Sequence, residues 1–231
     1  PEIERSGVVL ERFAKTAAKH GLWLVVGFVE EDGDRLYNSA AVFDRGGGLV
    51  GVARKNFLWD CDHQWFTPGD ELSVFDTEFG RMGVLICADA RVPEIPATLV
   101  HDGAQFIVQP TAWVNTSVVR RTYRNIQPDF LIRARAKEFG VPLVCCSKAG
   151  WESEALEYVG QSQIVSAGGL VLAQAPLGGE HVVAAEVTPS PSRGVKIEEG
   201  LRARLLGAQP PYHAESPGAT CQVPLRQADD A

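Results

Sequence analysis

Short apolar runs separated by glycine-marked turns dominate the chain, and their spacing predicts many more strands than helices. Between residues 4 and 20 the apolar positions Val8, Leu10, Phe13, Ala14 and Ala17 recur at helical spacing, and Gly21 is placed to stop that helix. Residues 22–28 are apolar throughout, as in a buried strand, and residues 30–34 supply a turn. Residues 39–44 and 49–54 flank Arg45-Gly46-Gly47-Gly48, a hairpin signal. Further strands are expected at 72–75 and 81–86, joined through Gly80, and at 105–108 and 143–146. A helix should begin near Pro93-Glu94-Ile95-Pro96, because proline fits only a first turn. A longer helix is expected over 117–139, ended by Gly140-Val141-Pro142. A second hairpin, 163–166 with 170–173, turns on Gly168-Gly169, and one more strand is expected at 181–187. Strands that are apolar along their whole length need cover on both faces. The pattern therefore predicts an α/β fold of layered sheets and helices.

A length of 231 residues suits one domain with a sizeable core. That domain is expected over residues 1–215, with a loose polar tail at 216–231. The formal net charge of −7 argues against a nucleic-acid partner, whose phosphates would call for a basic face. The one dense basic stretch, 119–124, reads as a solvated helix face. No apolar run is long enough to span a bilayer, so no membrane partner is expected. The five cysteines form no C-x-x-C pair, which gives no support to a zinc ribbon or a dithiol redox site. Their odd number fits a reducing compartment, so a cytoplasmic location is expected. The chain starts at Pro1 and has a single methionine, Met82, which reads as a fragment or a processed product.

The chemistry concentrates in Val84-Leu85-Ile86-Cys87-Ala88-Asp89-Ala90-Arg91. A buried strand that runs into a cysteine and then a small polar turn is arranged as a nucleophile elbow. It would expose the thiol and aim the next backbone N–H groups at the same place, where they can stabilise an oxyanion. The alternative is that Cys87 is a small buried hydrophobe, as most cysteines are. Lys55 ends the apolar run at 49–54. It reads either as a solvated strand end or as an electrophilic partner that binds negative charge developing beside the cysteine.

Three separated segments carry a resemblance. They are Ala53-Arg54-Lys55-Asn56-Phe57-Leu58, Trp65-Phe66-Thr67-Pro68-Gly69, and Gly80-Arg81-Met82-Gly83-Val84-Leu85-Ile86-Cys87-Ala88-Asp89. In order and spacing they resemble the nitrilase superfamily of carbon–nitrogen hydrolases, as do Arg91, Pro93-Glu94, Arg133-Ala134-Arg135-Ala136 and Gly160-Gln161-Ser162. The resemblance implies a four-layer α-β-β-α sandwich and a Glu-Lys-Cys triad. Cys87 would be the nucleophile that forms a thioester, with Lys55 and the Ala88 N–H holding the oxyanion. No metal or organic cofactor is implied. Asp62 stands four residues before Phe66, where the family often has a second glutamate that positions substrate and lysine. The general-base glutamate is expected before residue 1, together with a first strand and helix; the match of Pro1-Glu2 to its usual context reads as accidental.

The residues after Cys87 look more like the amidase and carbamoylase branches than the nitrilases. The expected partner is therefore a small amide-type or N-carbamoyl substrate, and homo-oligomers are expected. Thr111 and Trp113 follow the next strand, where family members line the pocket; Tyr123, Arg124 and Asn125 are candidates to reach a substrate carboxylate. Cys61 is the rival nucleophile. Other readings are a nitrilase, a catalytically silent sandwich subunit lacking its glutamate, and a papain-like protease using His63.

Overall fold

The computed structural model describes residues 2–116, 125–154 and 156–191. Helix α1 (Glu2–His20) ends at Gly21, whose φ of 61° is the left-handed stop expected there. Strands β1 (Leu24–Asp32), β2 (Arg35–Phe43) and β3 (Leu49–Arg54) form an antiparallel sheet in that order. The turn between β2 and β3 tucks under α1. A Cβ on Gly47 would lie 2.4 Å from the Ala14 carbonyl oxygen, which accounts for a glycine-only turn.

The remaining strands are β4 (Ser73–Thr77), β5 (Gly80–Val84), β6 (Phe106–Thr111), β7 (Leu143–Ser147), β8 (Ala149–Trp151), β9 (Glu157–Val159), β10 (Gln163–Val165) and β11 (Val171–Gln174). Six of them build a mixed sheet in the order β11-β10-β7-β6-β5-β4, parallel across β5-β6-β7 and antiparallel elsewhere; β8 and β9 pair apart.

Side-chain alternation sorts the residues into layers. On β2, Ala41 and Phe43 face α1 and pack with Ala17. Ala40 and Val42 face the other way and meet Met82, Val84 and Ile86 of the second sheet. That sheet's far face, with Leu85, Ile107, Leu143 and Cys145, is covered by helices α2 (Glu94–His101) and α3 (Ile132–Phe139) through Leu99, Ile132 and Ala136. The result is the four-layer α-β-β-α sandwich that the resemblance implied. Each fully buried aliphatic side chain contributes about 2 kcal/mol.

Three expectations need correction or bounding. Residues 181–187 form no strand: no sheet edge takes them, and Val182 is 97% exposed. The expected helix at 117–139 is described only from residue 125. There a π-type segment (Gln127–Leu131) carries Pro128 at its start, where the missing N–H breaks no helical bond, and runs into α3. Gly140 ends α3 at φ 65°. The boundary at residue 215 and the tail at 216–231 lie outside the described residues. Among the described residues no helix is long and apolar enough to cross a membrane.

Candidate active site

The chain leaves β5 through Leu85 and Ile86 and turns sharply at Cys87, whose φ is +47°. A non-glycine residue in this left-handed region is strained by about 1–2 kcal/mol and persists only where its surroundings fix it. Two buried polar contacts do the fixing. The Cys87 carbonyl accepts a 2.7 Å bond from Gln109 Nε2, and Gln109 is fully buried on β6. Gln109 Oε1 in turn accepts from the Cys145 thiol at 3.2 Å. From Cys87 the chain enters a 3₁₀ turn (Cys87–Arg91), the polar turn expected there. Ala88 is its second residue, and the first N–H groups of such a turn have no partner inside it. Arg135 of α3 closes the turn's other end by donating to the Ala90 carbonyl at 3.0 Å.

Lys55 comes directly after β3 and extends its ladder, its N–H donating to the Asn38 carbonyl at 2.8 Å. Its side chain is buried and ion-paired to Asp62 Oδ2, which also accepts the Trp59 N–H at 3.1 Å. Asp62 lies in a 3₁₀ turn (Asp60–Gln64) entered through Asp60 at φ +51°. This local twist lets the short aspartate reach Lys55. Behind them, the Gly69 N–H donates to the Lys55 carbonyl at 2.7 Å. A Cβ on Gly69 would lie 2.8 Å from Arg54 Cβ, so the W-F-T-P-G segment needs its glycine for close approach.

Asp89, buried in the turn after the cysteine, accepts from the Asn56 N–H at 3.1 Å and the Phe57 N–H at 2.7 Å through Oδ1. Through Oδ2 it accepts from the Ile86 N–H at 2.8 Å. Burial pushes its carboxyl up to about 6, against the pull of those bonds and of the Lys55 charge. Arg91 stacks its guanidinium on Trp59, 4.7 Å from the ring centroid. Burial lowers its pKa, and the nearby Cys87 opposes that shift. Tyr158 is the other neighbour. Its hydroxyl is pushed up by burial first, then by its bond to Glu152, with smaller contributions from Cys87 and Asp62. Asp89 thus ties the segment that carries Lys55 to the turn that carries Cys87.

The sequence-predicted residues divide. The fold pairs Lys55 with Asp62, and Asp89 ties the residues after Lys55 to the turn that carries Cys87 and Ala88. Cys87 is a free, partly exposed thiol with Sγ 4.0 Å from the Ala112 carbonyl oxygen. Thr111 is half-buried at the end of β6, and its carbonyl accepts the Lys148 N–H. Trp113 is fully buried in the core with Leu85, Ile107 and Val159, so it is packing and not a pocket wall. Asn125 is also structural: its amide donates to the Val114 carbonyl and accepts the Gln127 N–H. Tyr123 and Arg124 lie outside the described residues. Cys61 is disulfide-bonded, which removes it as a free rival to Cys87. His63 is exposed. Sequence reasoning misses Gln109 and Tyr158. A polar residue inside an apolar strand is the available signal for Gln109, whereas nothing local marks Tyr158.

Comparison with known proteins decides the family. The carbon-nitrogen hydrolase family model matches residues 1–196. The chain belongs to the carbon-nitrogen hydrolase family. It is 34% identical over 187 residues to an omega-amidase of Xenopus tropicalis, a match covering 77% of this chain and 65% of that protein. It is 36% identical over 188 residues to a nitrilase of Pyrococcus abyssi, covering 81% and 66%. Among solved structures, a carbon-nitrogen hydrolase from Helicobacter pylori G27 aligns with a TM-score of 0.70 at 26% identity, over 77% of this chain and 65% of that one. A nitrilase-superfamily member of Saccharomyces cerevisiae aligns at 0.66 and 29%, over 74% and 62%. The chain spans a little under two thirds of the length of these relatives.

Proposed function

We propose that the protein hydrolyses a small amide or N-carbamoyl compound through a thioester on Cys87. The observation that carries this reading is the strained Cys87 elbow, tied through Asp89 to the segment of the buried, Asp62-paired Lys55. Cys87 Sγ attacks the amide carbon, and the carbonyl oxygen gains the charge that the Lys55 ammonium and the Ala88 N–H stabilise. The C–N bond then breaks, and nitrogen leaves as ammonia or an amine carrying the proton given up by the thiol. Water attacks the thioester, releasing the acid and restoring the thiol. Proton transfer to and from sulfur, nitrogen and water needs a carboxylate base. Asp62 is engaged by Lys55 and the Trp59 N–H, so its role in this reading is to hold the lysine in place.

The similarity to an omega-amidase and the Ala88-Asp89 sequence after the nucleophile favour amides. The similarity to a nitrilase supports nitrile hydrolysis as the second reading. The test is ammonia release by the purified protein from aliphatic amides, N-carbamoyl amino acids and nitriles, with Cys87→Ala alongside. Release from amides or carbamoyl compounds that vanishes in the variant is expected. Release from nitriles alone would favour the second reading. A folded protein that releases ammonia from none of them would overturn both and leave the silent-sandwich alternative.

A further inference from the structure

The two segments that carry Lys55 and Cys87 come from different sheets, and little in the chain's local order fixes their spacing. One side chain touches both. Asp89 Oδ1 holds the N–H groups of Asn56 and Phe57, the two residues directly after Lys55. Asp89 Oδ2 holds the N–H of Ile86, the residue directly before Cys87. Asp89 is only 1% exposed, so water does not compete for these bonds. A carboxylate is the one side chain of this size with acceptors at both ends and no donor. Asparagine would present an NH₂ to a backbone N–H on one side and lose that bond.

We propose that Asp89 is a positioning residue that sets the spacing of Lys55 and Cys87 by clamping both segments with one carboxylate. This rests on the hydrolase reading, in which Lys55 assists Cys87. If the clamp acts through Lys55, its loss matters only while Lys55 is present. A merely structural Asp89 would have the same effect with or without the lysine.

The test is the alkylation rate of Cys87 by iodoacetamide at pH 7.5 in wild type, Asp89→Asn, Lys55→Met and the double variant, read by peptide mass spectrometry. Lys55→Met is expected to slow the reaction about tenfold, because the cation favours the attacking anion. Asp89→Asn should slow it several-fold in the Lys55 background and by less than about twofold in the Met background, a coupling that a double-mutant cycle isolates. In turnover, kcat should fall on the order of a hundredfold for Asp89→Asn with KM nearly unchanged. Equal slowing in both backgrounds would overturn the clamp while leaving the hydrolase reading intact. No effect of Lys55→Met would remove the role of Lys55, and the clamp with it. Should Asp89→Asn fail to fold, hydrogen exchange on the wild-type protein decides. The Asn56, Phe57 and Ile86 amides should exchange as slowly as that of Leu85, and free exchange at Asn56 and Phe57 would overturn the proposal.

Discussion

Replacing Asp62 by asparagine isolates the charge of the Lys55 partner from its shape. The Lys55 side chain is only 4% exposed, and its ammonium meets the Asp62 carboxylate, whose own side chain is 22% exposed. Asparagine keeps an oxygen for the Trp59 N–H but leaves the lysine without its counter-charge. Removing one partner of a fully buried pair costs about 3–5 kcal/mol. The partial exposure of Asp62 admits some water, which brings the expected loss to about 2–3 kcal/mol. For a chain of this size each kcal/mol moves Tm by about 2–4 °C, so Asp62→Asn should lower Tm by about 4–12 °C. Thermal unfolding followed by circular dichroism reads this directly. Adding Lys55→Met should recover much of the loss, because the uncompensated buried charge is then gone. A Tm within about 1 °C of wild type for Asp62→Asn would refute the reasoning, since an isolated surface pair behaves that way.

The same contacts set other outcomes. Cys87→Gly should be more stable than Cys87→Ala by about 1 kcal/mol, because glycine takes the φ of +47° without strain; denaturant unfolding of the two variants compares them, and a more stable alanine variant would contradict the elbow geometry. Gln109→Leu should cost about 1–3 kcal/mol by the same measurement, since it leaves the Cys87 carbonyl without its buried donor.

Much of this architecture is legible in the chain because its inner strands, such as β2, β5 and β10, are largely buried on both faces. The Gly46–Gly48 and Gly168-Gly169 hairpins, the Gly80 link and the Gly140 stop each come from local backbone chemistry. Residues 181–187 mislead for a physical reason: His181-Val182-Val183 reads as a strand, but no sheet edge receives it. The hairpin of β8 and β9 escapes a sequence reading because three-residue strands carry no periodicity. At the site, Cys87, Lys55 and Asp62 can be picked out in sequence, but the Lys55–Asp62 pair and the Asp89 bonds between their segments are tertiary contacts that sequence spacing does not encode. Trp113 illustrates the limit: an aromatic at a strand end can line a pocket or fill a core, and only its neighbours Leu85, Ile107 and Val159 decide for the core.

The central claim is that Cys87 carries the acyl group. The most direct test is peptide mass spectrometry on protein quenched in acid during turnover of an amide identified by ammonia release. The account predicts the acyl mass on the peptide containing Cys87, and its disappearance as the substrate is exhausted. An acyl mass on the peptide containing Cys145 and Cys146, or substrate turnover that survives Cys87→Ala, would contradict it.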